Sequence, residues 1–126
     1  MRALRKTAIF AILLVCLVPN VCRAEYIQAQ PIFARNNTSR PIWVAAHYVP
    51  AGSHSFVTGA WWKIDPGCSK RILCNNGRNI YFNAHNDQGF EWSGTDTTAA
   101  VDGQTLNMFH RDTGPCYDPW TVEFNP

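Results

Sequence analysis

After residue 25 no stretch of about 11 residues sets its apolar side chains at helical spacing; they alternate with a period of two, in short runs separated by Gly, Pro and Asn. In residues 42–49, Ile42, Val44, Ala46 and Tyr48 point one way and Trp43, Ala45, His47 and Val49 the other. Both faces are largely apolar, as in a central strand. A turn at Pro50-Ala51-Gly52-Ser53 leads to residues 56–64, where Phe56, Thr58, Ala60, Trp62 and Ile64 are expected to share a face, stopped by Asp65-Pro66-Gly67. A short strand at 71–74 ends at Asn75-Asn76-Gly77, an Asn-Gly step that favours a tight hairpin. Residues 80–85 continue the ladder, and Asn86-Asp87-Gln88-Gly89 turns the chain into 90–92. Residues 106–110 and 120–124 are further strands, 25–31 read as a polar lead-in and 95–103 as a surface loop. The expected fold is all-β, a small antiparallel sandwich or barrel of about seven or eight short strands.

The N-terminus follows another logic. Basic Arg2, Arg5 and Lys6 precede an apolar run over residues 8–18, then Pro19-Asn20 and Cys22-Arg23-Ala24. This is the order of a secretory signal, with small side chains at Cys22 and Ala24 placing cleavage before Glu25. Eleven residues at about 1.5 Å each cover roughly 16 Å, half of a ~30 Å bilayer core, so a membrane-spanning helix is the poorer reading. The division is a signal peptide, 1–24, and one β domain, 25–126, secreted or periplasmic, with no membrane span after cleavage. The full chain of 126 residues has 11 basic and 9 acidic side chains. Four of the basic ones and none of the acidic ones lie in the first 24, which leaves the domain at a net charge of about −2. That balance argues against a nucleic-acid partner.

Cysteine usage fits export. Of five cysteines, Cys16 and Cys22 depart with the signal, leaving Cys68, Cys74 and Cys116. An oxidising compartment implies one disulfide and one thiol left over. Cys68 and Cys74 flank a strand and stand about 20 Å apart in extended chain, far beyond the ~4.4–6.8 Å of a disulfide. Cys116 is then the long-range partner of one of them.

Several segments occur in an order that resembles a known family: Asn36-Asn37-Thr38, Trp43-Val44-Ala45 with Tyr48, Thr58-Gly59-Ala60-Trp61-Trp62-Lys63-Ile64, Pro66-Gly67-Cys68, residues 81–84, and Glu91-Trp92-Ser93-Gly94. Together they are similar to domain-of-unknown-function family 1036, small exported proteins found mainly in bacteria. The resemblance spans about residues 32–124. Family members usually carry a cysteine where Arg35 stands and another near Ala99 and Ala100. If those two pair with each other, the resemblance implies a Cys68–Cys116 disulfide and makes Cys74 the free thiol. It implies no activity, since the family has no established function.

Four histidines, His47, His54, His85 and His110, form no zinc-ligand register, so no metal or other cofactor is expected. His47 and His85 are expected to share a surface, and His85 with Asp87 and His110 with Asp112 to form local salt bridges. No nucleophile stands out: Cys74 has no flanking histidine, and Ser93 lies in Trp-Ser-Gly rather than in a hydrolase elbow. Glu91 and Asp96 could serve glycoside hydrolysis only if held at a fixed separation. No catalytic residue is assigned. The aromatic residues are the most distinctive feature. Consecutive Trp61 and Trp62 must face opposite sides of a strand, so at most one fills a given core. Core filling is the plainer account; the sharper one is that Trp61, with Trp92 or Tyr48, forms a platform for sugar rings or a partner. Asn36 and Asn37 begin two overlapping glycosylation sequons. The functional expectation is a non-catalytic binding or accessory module, its partner a glycan or envelope component, with an enzyme or metal protein as the rival class.

Overall fold

The computed structural model describes residues 29–114 and 117–126. The export segment, its cleavage point and Cys116 lie outside the described residues. Nine strands and no helix are present among them: β1 (Gln30–Asn36), β2 (Ile42–Tyr48), β3 (Val57–Ile64), β4 (Ser69–Asn75), β5 (Asn79–Asn86), β6 (Glu91–Trp92), β7 (Thr97–Val101), β8 (Gln104–Asp112) and β9 (Trp120–Phe124). With no helix, none of the described residues forms one long and apolar enough to cross a membrane. A three-stranded sheet, β4-β1-β9, packs on a six-stranded one in the order β3-β2-β5-β8-β7, with β6 paired to β5. The fold class is as expected, and β2 and β5 are interior strands of the larger sheet. Every pairing is antiparallel except one. β1 and β9 run parallel, from Ile32 opposite Trp120 to Asn36 opposite Phe124.

The core between the sheets is built from alternate residues. Ile42, Val44 and Ala46 of β2 and Ile80, Phe82 and Ala84 of β5 meet Ile32 and Ala34 of β1 and Val122 and Phe124 of β9. Nearly all are fully buried, each large side chain contributing roughly 1.5–3 kcal/mol. Phe82 sits at the centre, its ring 5.8 Å from Phe109, 6.3 Å from Trp120 and 6.5 Å from Phe124.

Four local expectations need correction. Asn75-Asn76-Gly77 closes no hairpin: β4 belongs to the small sheet and β5 to the large one, so this corner carries the chain from one layer to the other. Asn75, buried there, accepts from the Val49 amide and donates to the Gly77 carbonyl. The supposed loop 95–103 contains β7, joined to β8 by a two-residue turn in which Asp102 and Gly103 both have positive φ, 50° and 78°. Such a turn matches the twist of the strands it connects. The lead-in 25–31 overlaps β1 at Gln30 and Pro31. Finally, β3 does not keep one face throughout. Ala46 pairs with Gly59 and Val44 with Trp62, so Ala60 and Trp61 together oppose Ala45. This bulge switches the alternation: Thr58 bonds His47 on one face, while Trp62 packs into the inter-sheet core on the other. Gly59 is required beneath it, because a Cβ there would stand 2.5 Å from the Trp62 ring.

Cys68 and Cys74 are both disulfide-bonded. The reading of Cys74 as the free thiol is therefore overturned. The expected bond from Cys68 to Cys116 reaches a residue outside those described.

Candidate functional site

The large sheet curls until its edge strands β3 and β7 touch, which makes the face turned away from the small sheet concave. A second, smaller core sits in that curl: Ala45, Ala99, Leu106 and Met108, with Trp61, Tyr81 and Val101 packed on it. The consecutive tryptophans thus separate as alternation requires, Trp62 to the inter-sheet core and Trp61 to the concave face.

Strand register lays two rows of polar and aromatic side chains across this face. In the first, Lys63, Trp43, His85 and Glu91 follow one another over β3, β2, β5 and β6. His85 stacks on Trp43 at 5.7 Å and meets Trp61 edge-on at 4.7 Å. In the second row, Thr58, His47, Tyr81 and His110 follow over β3, β2, β5 and β8. His47 Nδ1 lies 2.8 Å from Thr58 Oγ1, and its ring stacks on exposed Phe56 at 4.8 Å. His110 lies 5.2 Å from Tyr81 and bonds Asn79 at 2.8 Å. Burial holds the His47 imidazole below the ordinary histidine range.

Between the rows, β5 presents Asn83 opposite Ala45. Asn83 is 1% exposed. Its Nδ2 donates to Glu91 Oε2 at 3.0 Å and to the Asn107 carbonyl at 2.8 Å. Its Oδ1 has no hydrogen-bond partner among the described residues. A buried carbonyl left so costs about 1–3 kcal/mol unless something donates to it. Rotating the amide would set an oxygen against two acceptors, so the orientation is fixed by its surroundings. Asn83 lines an open cleft of about 340 Å³ together with Trp61, His85, Glu91, Gln104 and Leu106. One indole, three amides (Asn86 is the third), an imidazole and a carboxylate thus line a cleft with an apolar floor.

The residues expected to form a platform are not assembled as one. Trp61 faces this cleft, whereas Trp92 and Tyr48 pack on the inter-sheet core. Trp92 pairs with Ala84, which faces Val44, four residues from Tyr48 along β2, or about 13 Å. Trp92 lines a different cleft, of about 260 Å³, with Phe90, Arg40, Thr38 and Ser39. There the polar groups are already engaged: the indole N–H donates to the Asn125 carbonyl, and Arg40 pairs with Asp87 at 2.7 Å. The Trp61 cleft contains a buried acceptor still seeking a donor; among the described residues one other, Gln30 Oε1, lies at the corner lined by Asn75, Arg78 and Tyr117 and by no tryptophan.

Other candidates resolve into structural roles. His47 and His85 do share a surface, but among the described residues no three His, Cys, Asp or Glu side chains gather as metal ligands. The salt bridges expected within His85–Asp87 and His110–Asp112 are replaced by Arg40–Asp87 and Arg78–Asp112. The Arg78 hydrogen bond, with a second from the Gly114 amide, holds the Asp112 carboxyl below its usual range. Asp96 accepts from the His110 amide, at the level of Tyr81, whereas Glu91 pairs with His85 four residues away along β5. The two carboxylates do not face one gap. Asn36 is fully buried: Nδ2 donates to the Arg40 and Ile64 carbonyls, and Oδ1 accepts from the Thr38 amide and hydroxyl. A glycan on Asn36 is incompatible with this fold. Asn37 is half-exposed, its Nδ2 donating to Glu123 and Asn125.

Asn83 and Gln104 were not singled out in the sequence. The available signal was an amide in the middle of an apolar alternation, between Phe82 and Ala84 on an interior strand. Against known proteins, the chain matches no family model, no curated protein and no solved structure.

Proposed function

We propose that this protein is an exported, non-catalytic module that binds a carbohydrate of the cell envelope in the concave cleft, with Trp61 as the surface on which a sugar ring lies. The observation that carries this reading is the unpartnered carbonyl of Asn83, buried in a cleft that also offers a half-buried indole. Sugars present hydroxyl donors around apolar ring faces, and a site with one flat aromatic wall and a few fixed acceptors suits both properties. Leu106 supplies an apolar floor, and Glu91 and Gln104 add polar groups around it. Glu91 is the single carboxylate lining this cleft, whereas glycoside hydrolysis ordinarily uses a pair about 5–10 Å apart. Export rests on the N-terminal signal pattern, and the resemblance to family 1036 agrees with it.

The test is binding of the purified protein to a glycan array and to isolated envelope polymers, wild type beside Trp61→Ala and Trp92→Ala, with circular dichroism as the check on folding. Loss of a central aromatic contact costs about 2 kcal/mol or more, roughly 30-fold in affinity. A folded Trp61→Ala protein should show that loss and Trp92→Ala should not. The reverse pattern would move the site to the cleft beside Phe90 and Arg40. Absence of any Trp61-dependent glycan binding would reject the carbohydrate reading.

A further inference from the structure

We infer that the Trp61 cleft selects a protonated amino sugar, its ammonium held between Glu91 and the Asn83 carbonyl while the ring lies on Trp61; this deepens, and rests on, the carbohydrate reading above. The cleft carries one carboxylate, Glu91, beside the unpartnered Asn83 carbonyl. No lysine or arginine lines it, and Glu91 makes no salt bridge among the described residues. The basic residue in the same row, Lys63, stands three strand spacings from Glu91, about 14 Å. It lies over Trp43 at 5.9 Å and within 4.0 Å of Asp65. The field at the cleft is therefore set by the carboxylate.

The two acceptors are close neighbours, because Asn83 Nδ2 donates to Glu91 Oε2 at 3.0 Å and so ties the amide to the carboxylate. A neutral hydroxyl brings one donor. An ammonium brings three from a single centre, enough to reach the carbonyl and the carboxylate together. Its bond to the carboxylate is charge-assisted, about twice as strong as a neutral one, and the indole face attracts a cation in addition. An N-acetyl group at the same sugar position removes the charge and leaves one N–H.

The probes are a chitin oligosaccharide and its fully deacetylated counterpart, compared by calorimetry at low salt under conditions that keep the free amines protonated. The deacetylated oligomer should bind at least about tenfold more tightly. Added salt should shrink that advantage and Glu91→Gln, which keeps the shape and an acceptor for Asn83, should abolish it. Trp61→Ala should weaken both oligomers. Equal binding, a preference for the acetylated form, or a preference that survives Glu91→Gln overturns the ammonium assignment. In those cases Trp61-dependent glycan binding would still uphold the carbohydrate reading. A trilysine peptide binding as tightly as the deacetylated oligomer would overturn the sugar part, and failure of both oligomers to bind would overturn the assignment outright.

Discussion

The two faces of β2 and β5 come from the same fifteen positions read alternately, yet they differ in kind. On the face toward the small sheet, Ile42, Val44, Ala46, Ile80, Phe82 and Ala84 are all completely buried. On the concave face, Trp43, His47, Tyr81 and His85 are only half-buried, and fully buried Asn83 stands among them. The first face is covered by a second sheet and can be wholly apolar. The second is covered only by the sheet's own curl, which closes over Ala45, Ala99, Leu106 and Met108 and stays open around Trp61 and Glu91. One face supplies stability, and the other has room to hold a ligand.

Neighbouring residues on β5 can separate these roles. Phe82→Ala should destabilise the protein by about 3–5 kcal/mol, read as a lowered midpoint in urea, since it leaves a cavity among Phe109, Trp120 and Phe124. Tyr81→Ala, one position along, should cost about 1–2 kcal/mol in the same measurement, because its ring is half-buried and lies against histidines. Equal losses would mean that the curl packs as tightly as the inter-sheet core, and the contrast would fail. The smallest effect concerns pH. Burial lowers the His47 pKa in the folded state, so the unfolded chain takes up the proton first. The His47 contribution is therefore complete above about pH 6.5 and declines as pH falls through the unfolded value toward the folded one. His47→Gln should flatten the slope of urea midpoint against pH over that interval and leave the midpoint near pH 8 almost unchanged.

Interior strands with apolar residues on both faces were the most legible: the alternation in β2 and β5 showed which residues share a face, whereas β8 and β9, each with an exposed face, were read in position alone. β7 was not legible, because only Ala99 among its five residues is buried, and an edge strand needs no more. Its turn nevertheless carried a signal in Asp102-Gly103. Asn76-Gly77 carried the same kind of signal and misled, since a step able to form a hairpin forms one only when the strands beside it belong to one sheet. β4 instead pairs with β1. The Trp61 cleft was half visible: alternation separated Trp61 from Trp62, but the β3 bulge that directs Trp61 toward Asn83 depends on register with Ala45, which no local pattern encodes. Asn36 could not be told from a glycan acceptor for a related reason. A sequon and a buried corner residue are written with the same letters, and only the surrounding Arg40, Ile64 and Thr38 contacts distinguish them.

The parallel pairing of β1 with β9 has a consequence for the life of the chain before it is folded. Ile32 finds Trp120 only across most of the described sequence, so the small sheet stays incomplete, and Phe82 without its cover of Trp120 and Phe124, until residues 120–124 arrive. Contacts this distant are slow to form. A polypeptide emerging from the ribosome would remain unable to lock this core until β9 had been made. The arrival of β9 would then close the small sheet and cover Phe82 in a single step.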